Sequence, residues 1–171
     1  VYKRQASSLA SAINDDSGAT GVTATANTTA KGVGAIGGGT LAANDFTING
    51  FDVGAISFSA SDSTGTLTSA INSIEDQTGV HATIENGALT LTSDVGAAIT
   101  VGIANASDAK IFGGAAGGNI VSANGAGGAA AADTFQGVVT LESDNAIVIT
   151  GAGAADSGIA NGTKALGNAL S

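Results

Sequence analysis

Apolar and polar residues alternate most regularly around Asn-Gly pairs. Apolar side chains at Phe46, Ile48, Phe51 and Val53 flank the pair Asn49-Gly50. Asn-Gly between alternating apolar residues favours a two-residue hairpin turn, because both turn positions need a positive φ. Two-residue pairing sets Ile48 opposite Phe51 and Phe46 opposite Val53. All four side chains then share one face, so the register of the predicted β-hairpin is self-consistent.

A second hairpin is predicted at Asn86-Gly87. Pairing across this turn puts Ile84 against Leu89 and Ala82 against Leu91, and the opposite face then carries polar residues. Those polar positions are His81, Thr83, Thr90 and Thr92. Beyond this hairpin, alternation over residues 99–103 predicts a further strand.

A helix is predicted between the hairpins, from about Thr66 to Asp76. Its apolar residues fall at i, i+4 and i+7 and form one stripe for burial. They are Leu67, Ile71 and Ile74. Thr64 or Thr66 can cap the start of this helix, and Gly79 lies just past its end.

The same elements occur a second time at a fixed offset. The segment LASAIN at residues 9–14 returns as LTSAIN at residues 67–72, so the offset in residue number is 67 − 9 = 58. TGV at residues 20–22 matches residues 78–80 at this offset without a gap. A register shared by helix, turn and strand indicates duplication of one folding unit. Chance similarity among Ala, Ser and Thr is the alternative.

The predicted fold class is α+β and rich in β-structure. Each unit reads strand–strand–helix–strand–strand, with a short helix packed on an antiparallel sheet. The first copy lacks its front hairpin. The predicted organisation is a non-native remnant at residues 1–5, a truncated first unit at 6–44, a second unit at 45–104, a Gly/Ala-rich connection at 105–133, a β-hairpin at 134–151 and an exit segment at 152–171.

Composition excludes several classes of function. The 171 residues include no Cys, one His, and 5 basic against 14 acidic side chains, which gives a net charge of −9. Zinc fingers, iron–sulfur clusters, disulfide scaffolds and cysteine nucleophiles need Cys. Nucleic-acid binding needs clustered Lys and Arg, and a membrane helix needs a far longer apolar run than any present. Composition therefore favours a soluble, non-catalytic module without metal or cofactor.

A glycine pattern and the single His are the strongest candidates for a chemical site. Residues 32–37 match GxGxxG, and Asp52 follows Gly32 at the spacing of the acidic residue in a dinucleotide-binding motif. A dinucleotide site needs a helix that begins at those glycines. Gly38-Gly39 would break such a helix, so we interpret the segment as a flexible loop between units. His81 pairs beside Thr92 on the polar face, which favours a solvated His over a metal ligand.

The remaining candidates are weaker. Asp15-Asp16 and Glu75-Asp76 occupy equivalent helix ends, and we interpret them as solvated acids, since a metal site needs several converging oxygens. A Ser–His–acid set is not credible, because His81 has no obvious nucleophile beside it. The N-glycan acceptor pattern begins at Asn27, Asn105 and Asn161. We therefore predict no catalytic, cofactor-binding or metal-binding residues, and no enzyme activity.

The order of these motifs resembles the outer, variable region of bacterial flagellin with its hook IN repeats, which are named for an Ile-Asn pair. The resemblance rests on DFTING at residues 45–50, LTSAIN at 67–72, DQTGV at 76–80 and GALTLTS at 87–93. FQGVVTL at residues 135–141 and IVITG at 147–151 are similar to the last hairpin of long flagellins, most like those of Campylobacter and Helicobacter relatives. The resemblance covers about residues 6–151.

This resemblance implies a structural component of the extracellular flagellar filament. Terminal helices outside this sequence would make the homo-oligomeric shaft, while the outer domain faces the medium. O-linked glycans on exposed Ser or Thr are a further implication, without selected sites. A hook-associated or filament-cap protein, or a repetitive surface adhesin module, is the alternative interpretation.

Overall fold

Short helices and antiparallel strands alternate along the chain. The structure is a computed structural model that describes residues 6–104, 110–113, 133–149 and 162–164. The helices are α1 (Ala6–Asp15), α2 (Ser17–Thr20), α3 (Thr66–Asn72) and α4 (Glu75–Thr78). The strands are β1 (Thr23–Lys31), β2 (Gly39–Leu41), β3 (Phe46–Ile48), β4 (Phe51–Asp52), β5 (Ile56–Phe58), β6 (His81–Glu85), β7 (Ala88–Ser93), β8 (Ile99–Ile103), β9 (Asp133–Phe135), β10 (Val138–Glu142), β11 (Ile147–Ile149) and β12 (Gly162–Lys164).

Within the described ranges, the strands form two larger sheets and two smaller ribbons. One four-stranded sheet has the order β10-β1-β7-β6, and the other has the order β4-β3-β8-β9. β2 pairs with β5, and β11 pairs with β12. All of these pairings are antiparallel, which confirms the predicted β-rich α+β class with short helices on antiparallel sheets.

The predicted Asn-Gly turns are present. Asn49 and Gly50 have φ of 51° and 85°, and Asn86 and Gly87 have φ of 52° and 80°. Ile48 lies opposite Phe51, and Ile84 and Ala82 lie opposite Leu89 and Leu91, as predicted. The hydrogen bond from Val53 N to Phe46 O completes the first register. Both hairpins could be predicted because the positive φ that they need is a local demand.

The predicted central helix is interrupted and has a different cap. α3 ends at Asn72, and α4 continues after a break at residues 73–74. Neither Thr64 nor Thr66 caps α3. Instead the buried carboxylate of Asp62 accepts hydrogen bonds from Leu67 N at 3.0 Å and Thr68 N at 2.8 Å, and it also accepts one from the Thr68 hydroxyl. Asp62 has a positive φ of 47°, a conformation that Asp tolerates and that aims its side chain at the helix start.

The main core combines residues of α3, of the two larger sheets and of the β2–β5 ribbon. Its completely buried members include Leu67 and Ile71 of the predicted helical stripe, each 0% exposed. Ile74 is only partly buried against this core. The remaining large members are Ile36, Leu41, Phe46, Ile48, Val53, Phe58, Val80, Leu89, Leu91, Ile99, Val101, Ile103, Ile111, Phe112 and Phe135. Small layers of Leu, Ile, Val and Phe therefore combine into one shared core.

The glycine-rich segment after β1 is a loop, as interpreted, and its backbone packs closely against other parts of the fold. Gly32 N donates to Leu89 O at 2.8 Å, and Gly37 N donates to Lys110 O at 2.9 Å. A Cβ on Gly32 would lie 2.9 Å from Phe112 O. We call the contact between Gly32–Gly37 and residues 110–113 the glycine seam. The lack of side chains lets two backbones approach closely, which is a packing role for these glycines.

The C-terminal strands pair differently from the predicted hairpin at residues 134–151. β10 pairs with the first part of β1, from Thr23 to Asn27, and β11 pairs with β12. The predicted exit segment at 152–171 thus contributes a strand at Gly162–Lys164. Within the predicted connection at 105–133, Ile111 and Phe112 belong to the core. The rest of that connection, residues 105–109 and 114–132, lies outside the described residues, as does the non-native remnant predicted at 1–5.

Candidate functional site

The Asn of the Ile-Asn pair joins the central helix to the strand that follows it. The Asn72 side chain accepts a hydrogen bond from Ala82 N at 2.7 Å through Oδ1 and donates from Nδ2 to Ala82 O at 3.2 Å. A carboxamide carries the donor and acceptor of a peptide group, so it can satisfy both backbone groups of one residue. Since Ala82 is 1% exposed, this contact satisfies backbone groups that are largely shielded from water.

The equivalent residue of the first unit makes the same contact. Asn14 Oδ1 accepts from Ala24 N at 2.7 Å, and Asn14 Nδ2 donates to Ala24 O at 2.8 Å. Both residues precede those of the Asn72 contact by the offset of the repeat, because 72 − 14 and 82 − 24 are each 58. We call these two contacts the asparagine clasps. The repeated Asn therefore has the same structural role in both copies, which is to join the helix to the following strand.

The turn between helix and strand is also shared. Gly21 and Gly79 end the short helices with φ of 66° and 67°. In the first unit Thr20 Oγ1 accepts from Val22 N, and in the second Thr78 Oγ1 accepts from Val80 N, each at 3.2 Å. The matched TGV residues thus form a helix end followed by a side-chain-supported turn.

Asn49 extends this architecture to the front hairpin. Its Nδ2 donates to Thr78 O at 2.8 Å, while its Oδ1 accepts from Thr100 N at 2.8 Å. A turn residue chosen for its positive φ therefore also ties the hairpin to the end of α4 and to β8. Residues this far apart in the chain meet only in the folded protein, which explains why sequence patterns alone gave no sign of these bonds.

His81 lies where the sequence predicted, opposite Thr92 on the polar sheet face. Its Nδ1 is 2.9 Å from Glu75 Oε2, and both side chains are 46% exposed. The pair joins the start of α4 to β6 at the surface. The sequence analysis did not identify Glu75 as the partner of His81. The two residues flank the C-terminal end of α4 at Gly79, and the tight turn there brings their side chains together. An exposed pair of this kind has little effect on stability and needs no catalytic explanation.

The GxGxxG segment does not form a dinucleotide site. The backbone from Gly32 onward continues into a bridge and loop that lead to β2, so no helix begins at these glycines. Asp52 lies in β4 and accepts a hydrogen bond from Gly54 N at 3.0 Å. A pyrophosphate site needs the free N–H groups of a helix start, whereas the N–H groups of Gly32, Gly34 and Gly37 already donate to backbone carbonyl groups.

The remaining acids do not converge. Asp16 precedes α2 as its N-terminal flanking residue, whereas Glu75 is the first residue of α4, so the two acidic pairs are not equivalent in register. In the ranges that the structure describes, no three His, Cys, Asp or Glu side chains group as a metal site would require. No helix in those ranges is long and apolar enough to span a membrane.

A second ion pair lies across the sheet with the strand order β10-β1-β7-β6. Lys31 Nζ of β1 is 2.6 Å from Glu85 Oε2 of β6, with side chains 42% and 52% exposed. Between them lies β7, where Thr90 pairs with both Lys31 and Thr83. Of the three N-glycan acceptor patterns, Asn27 is exposed on β1, and Asn105 and Asn161 lie outside the described residues.

These features define a structural module in which a helix–turn–strand unit occurs twice. In each copy an Asn side chain joins the helix to the strand, and the sheet of the second copy has a polar face. Comparison with known proteins agrees with this class. Residues 45–95 match the family model of the flagellin hook IN motif. Within it lie the Asn49-Gly50 turn, the Asn72 clasp and the Asn86-Gly87 turn. The Ile-Asn pair is therefore one buried apolar residue followed by one backbone-binding amide.

Similar curated proteins include flagellins of Helicobacter. The chain is 40% identical to Flagellin B of Helicobacter pylori, in two strains, over 108 residues that make up 62% of this chain and 20% of each relative. It is 41% identical to Flagellin A of Helicobacter felis over 95 residues, 54% of this chain and 18% of that relative. The chain thus spans about a fifth of the length of these relatives. Over these residues the chain is similar to Helicobacter flagellins, which confirms the resemblance.

Proposed function

We propose that this chain is part of the surface-exposed outer region of a flagellar filament subunit, with a structural and non-catalytic role. The observation that carries the proposal is the hook IN motif at residues 45–95, whose name-giving Asn72 forms a clasp that recurs at Asn14. The similarity to Helicobacter flagellins supports it. Under this proposal the module is extracellular, and the contacts that build the homo-oligomeric filament come from other parts of the parent protein.

The charge of the module suits an outer layer. Without residues 1–5, the remaining chain has 3 basic and 14 acidic side chains, so its net charge is 3 − 14 = −11. Like charges on neighbouring filaments repel within the screening length, which is about 8 Å at physiological salt. A hydrated acidic layer would therefore keep filaments apart, and it is also unsuited to binding nucleic acid.

Deletion in the parent protein tests this role. Replacing residues 6–149 by a short Gly-Ser linker should leave filament assembly intact and reduce the filament diameter, as measured by electron microscopy beside unaltered filaments. Loss of filaments, or an unchanged diameter, would contradict the proposal. The isolated chain should sediment as a monomer at all concentrations, since assembly contacts are assigned elsewhere.

Exposed hydroxyls give the proposed outer layer a second feature. Thr25, Thr29 and Thr83 are exposed on strands, where an O-linked glycan would extend into solvent. We propose such strand positions as O-glycan acceptors. Intact-mass and peptide-mass measurements on the parent protein sheared from filaments test this, with protein made in a non-glycosylating host as the control. Identical masses from the two sources would contradict it.

A further inference from the structure

The first unit receives its last strand from a distant part of the chain. The pairing of β10 with β1 is equivalent to the pairing of β7 with β6. Thr23 lies opposite Glu142 in the first unit, and its counterpart His81 lies opposite Thr92 in the second. At the other end, Asn27 faces Val138 where Glu85 faces Ala88. The sequences agree as well, since GALTLTSD at residues 87–94 corresponds to GVVTLESD at residues 137–144. β10 is therefore the counterpart of β7, at an offset in residue number of 142 − 92 = 50.

A long insertion takes the place of the tight turn in the first unit. The counterparts of Asn86 and Gly87 are Thr28 and Gly137, by the two offsets. These residues lie side by side, because a Cβ on Gly137 would be 2.8 Å from Thr28 Oγ1. The chain thus leaves the first unit at Thr28, forms the second unit, and returns at Gly137. The first unit consists of α1, α2, β1 and β10.

Within the residues that the structure describes, this correspondence shows which part of the first unit has no counterpart of β5. In the second unit, β5 packs on α3 and leads into it after a short connection, and Leu67 and Ile71 are completely buried. The counterparts on α1 are Leu9 and Ile13, and both are only partly buried. α1 packs on β1 and β10, as α3 packs on β6. The difference between the two helices therefore lies on the side that β5 covers in the second unit.

We propose that the stripe of Leu9 and Ile13 on α1 is a docking surface for an extended segment of the parent protein that precedes Ala6. The occupant has the apolar pattern of residues 45–58, a hairpin followed by a strand like β5. The second unit supplies the precedent, because there β5, the last strand of such a segment, packs on α3, and the equivalent stripe of Leu67 and Ile71 is completely buried. Direct connection to the helix makes docking intramolecular, which offsets the weak affinity of a short strand. The inference does not depend on the filament role.

A graft tests the docking surface in the register that the repeat defines. Because Ala6 corresponds to Thr64, residues 45–63 are copied directly in front of Ala6 in place of residues 1–5. The matched control carries the same graft with Ser at the counterparts of Phe46, Ile48 and Phe58. Amide hydrogen exchange in α1 should slow by at least about tenfold in the graft and stay unchanged in the Ser control. Equal exchange in all three proteins would overturn the proposal.

Leu9→Ala provides a second measurement. In the ungrafted chain this substitution should shift the unfolding midpoint slightly, since Leu9 is partly exposed. In the grafted chain the same substitution should cancel most of the slowed exchange in α1, because Leu9 would then be a core residue. A second copy of the chain is the competing occupant. A dimer of the ungrafted chain that dissociates on Leu9→Asp substitution, measured by sedimentation, would favour that occupant and overturn ours.

Discussion

Phe46 and Phe112 meet edge to face, with ring centroids 5.8 Å apart and planes inclined by 81°. Phe46 belongs to β3, and Phe112 belongs to the short segment that forms the glycine seam. Both rings are almost completely buried, at 1% and 0% exposure. The aromatic contact therefore joins the front hairpin to a segment that is distant from it in sequence, and it stabilises the shared core beyond simple area burial.

Removing the ring at Phe112 should destabilise the whole core. We expect Phe112→Ala to lower the free energy of unfolding by about 3–5 kcal/mol, because it deletes a buried aromatic side chain and leaves a cavity. Phe51, which is 42% exposed, is the matched control. Phe51→Ala should lower that free energy by less than about 1 kcal/mol. Urea unfolding followed by circular dichroism measures both, and similar losses would argue against the assigned core.

The asparagine clasps should differ in strength. Asn72→Ala leaves the backbone groups of buried Ala82 without their side-chain partner, and we expect a loss of about 1–3 kcal/mol. Asn14 is more exposed, so Asn14→Ala should lose less. Asn72→Asp keeps the acceptor for Ala82 N but places a carboxylate oxygen against Ala82 O, and should not rescue stability. Full rescue by Asp, in urea unfolding, would show that the donated bond contributes nothing.

The capping carboxylate of Asp62 gives a third prediction. Asp62→Ala removes the acceptor for Leu67 N and Thr68 N, and it puts Ala at a φ of 47°. The two effects together should lower the free energy of unfolding by about 2–3 kcal/mol. Asp62→Asn should lose less, because Asn tolerates this φ and keeps an acceptor. Exposed Asp76 provides the control substitution, and thermal unfolding is the measurement. An Asp62→Ala protein as stable as Asp76→Ala would exclude the capping role.

Gly113 and Gly18 differ in the space that is available for a Cβ atom. A Cβ on Gly113 would overlap the backbone carbonyl group of Gly34, and Gly113 has a φ of 72°. Gly113→Ala should therefore lower the free energy of unfolding by about 2–4 kcal/mol, through overpacking and backbone strain. Gly18 lies in α2 with no atom near such a Cβ, so Gly18→Ala should be neutral or stabilising by up to about 1 kcal/mol. Thermal unfolding distinguishes the two, and a tolerated Gly113→Ala would disprove the seam.

His81 allows a direct check that the polar sheet face is not catalytic. His81→Gln removes the exposed pair with Glu75, so the free energy of unfolding should change by less than about 1 kcal/mol. In the parent protein the same substitution should leave swimming speed and filament length unaltered. Loss of either one, with stability retained, would assign His81 a function that its surroundings do not explain.

Local patterns predicted the parts of this fold that have local causes. Both Asn-Gly turns and the Leu67–Ile71 stripe follow from φ preference and helical spacing, and the structure confirms them. The repeat of LASAIN as LTSAIN could be found in the same way, and the matched clasps supply its physical reason. The capping role of Asp62 was not predicted because Asp62 lies three residues before Gly65, the N-cap position of α3. Its side chain reaches the helix start because Ser61 and Asp62 both have a positive φ.

The errors concern contacts between distant residues. Ile111 and Phe112 stand in a stretch of small residues, so nothing near them predicted a buried segment. The glycines after β1 form a loop, and their close packing could not be predicted because the backbone against which they pack is distant in sequence. β10 was assigned to a hairpin with the next strand, since short connections favour neighbouring pairs, but its partner β1 lies near the other end of the described chain.

The adjacency of Thr28 and Gly137 makes the outer architecture modular. Because the inserted chain leaves and returns at neighbouring backbone positions, its length does not fix the distance between those two positions. The chain between them can vary in length, or gain an inserted domain with adjacent termini, while β10 keeps its register with residues 23–27 of β1 and residues 28–31 remain paired with β7. Variation in the length of the inserted part is thereby compatible with an unchanged pairing of β1 and β10 at its base.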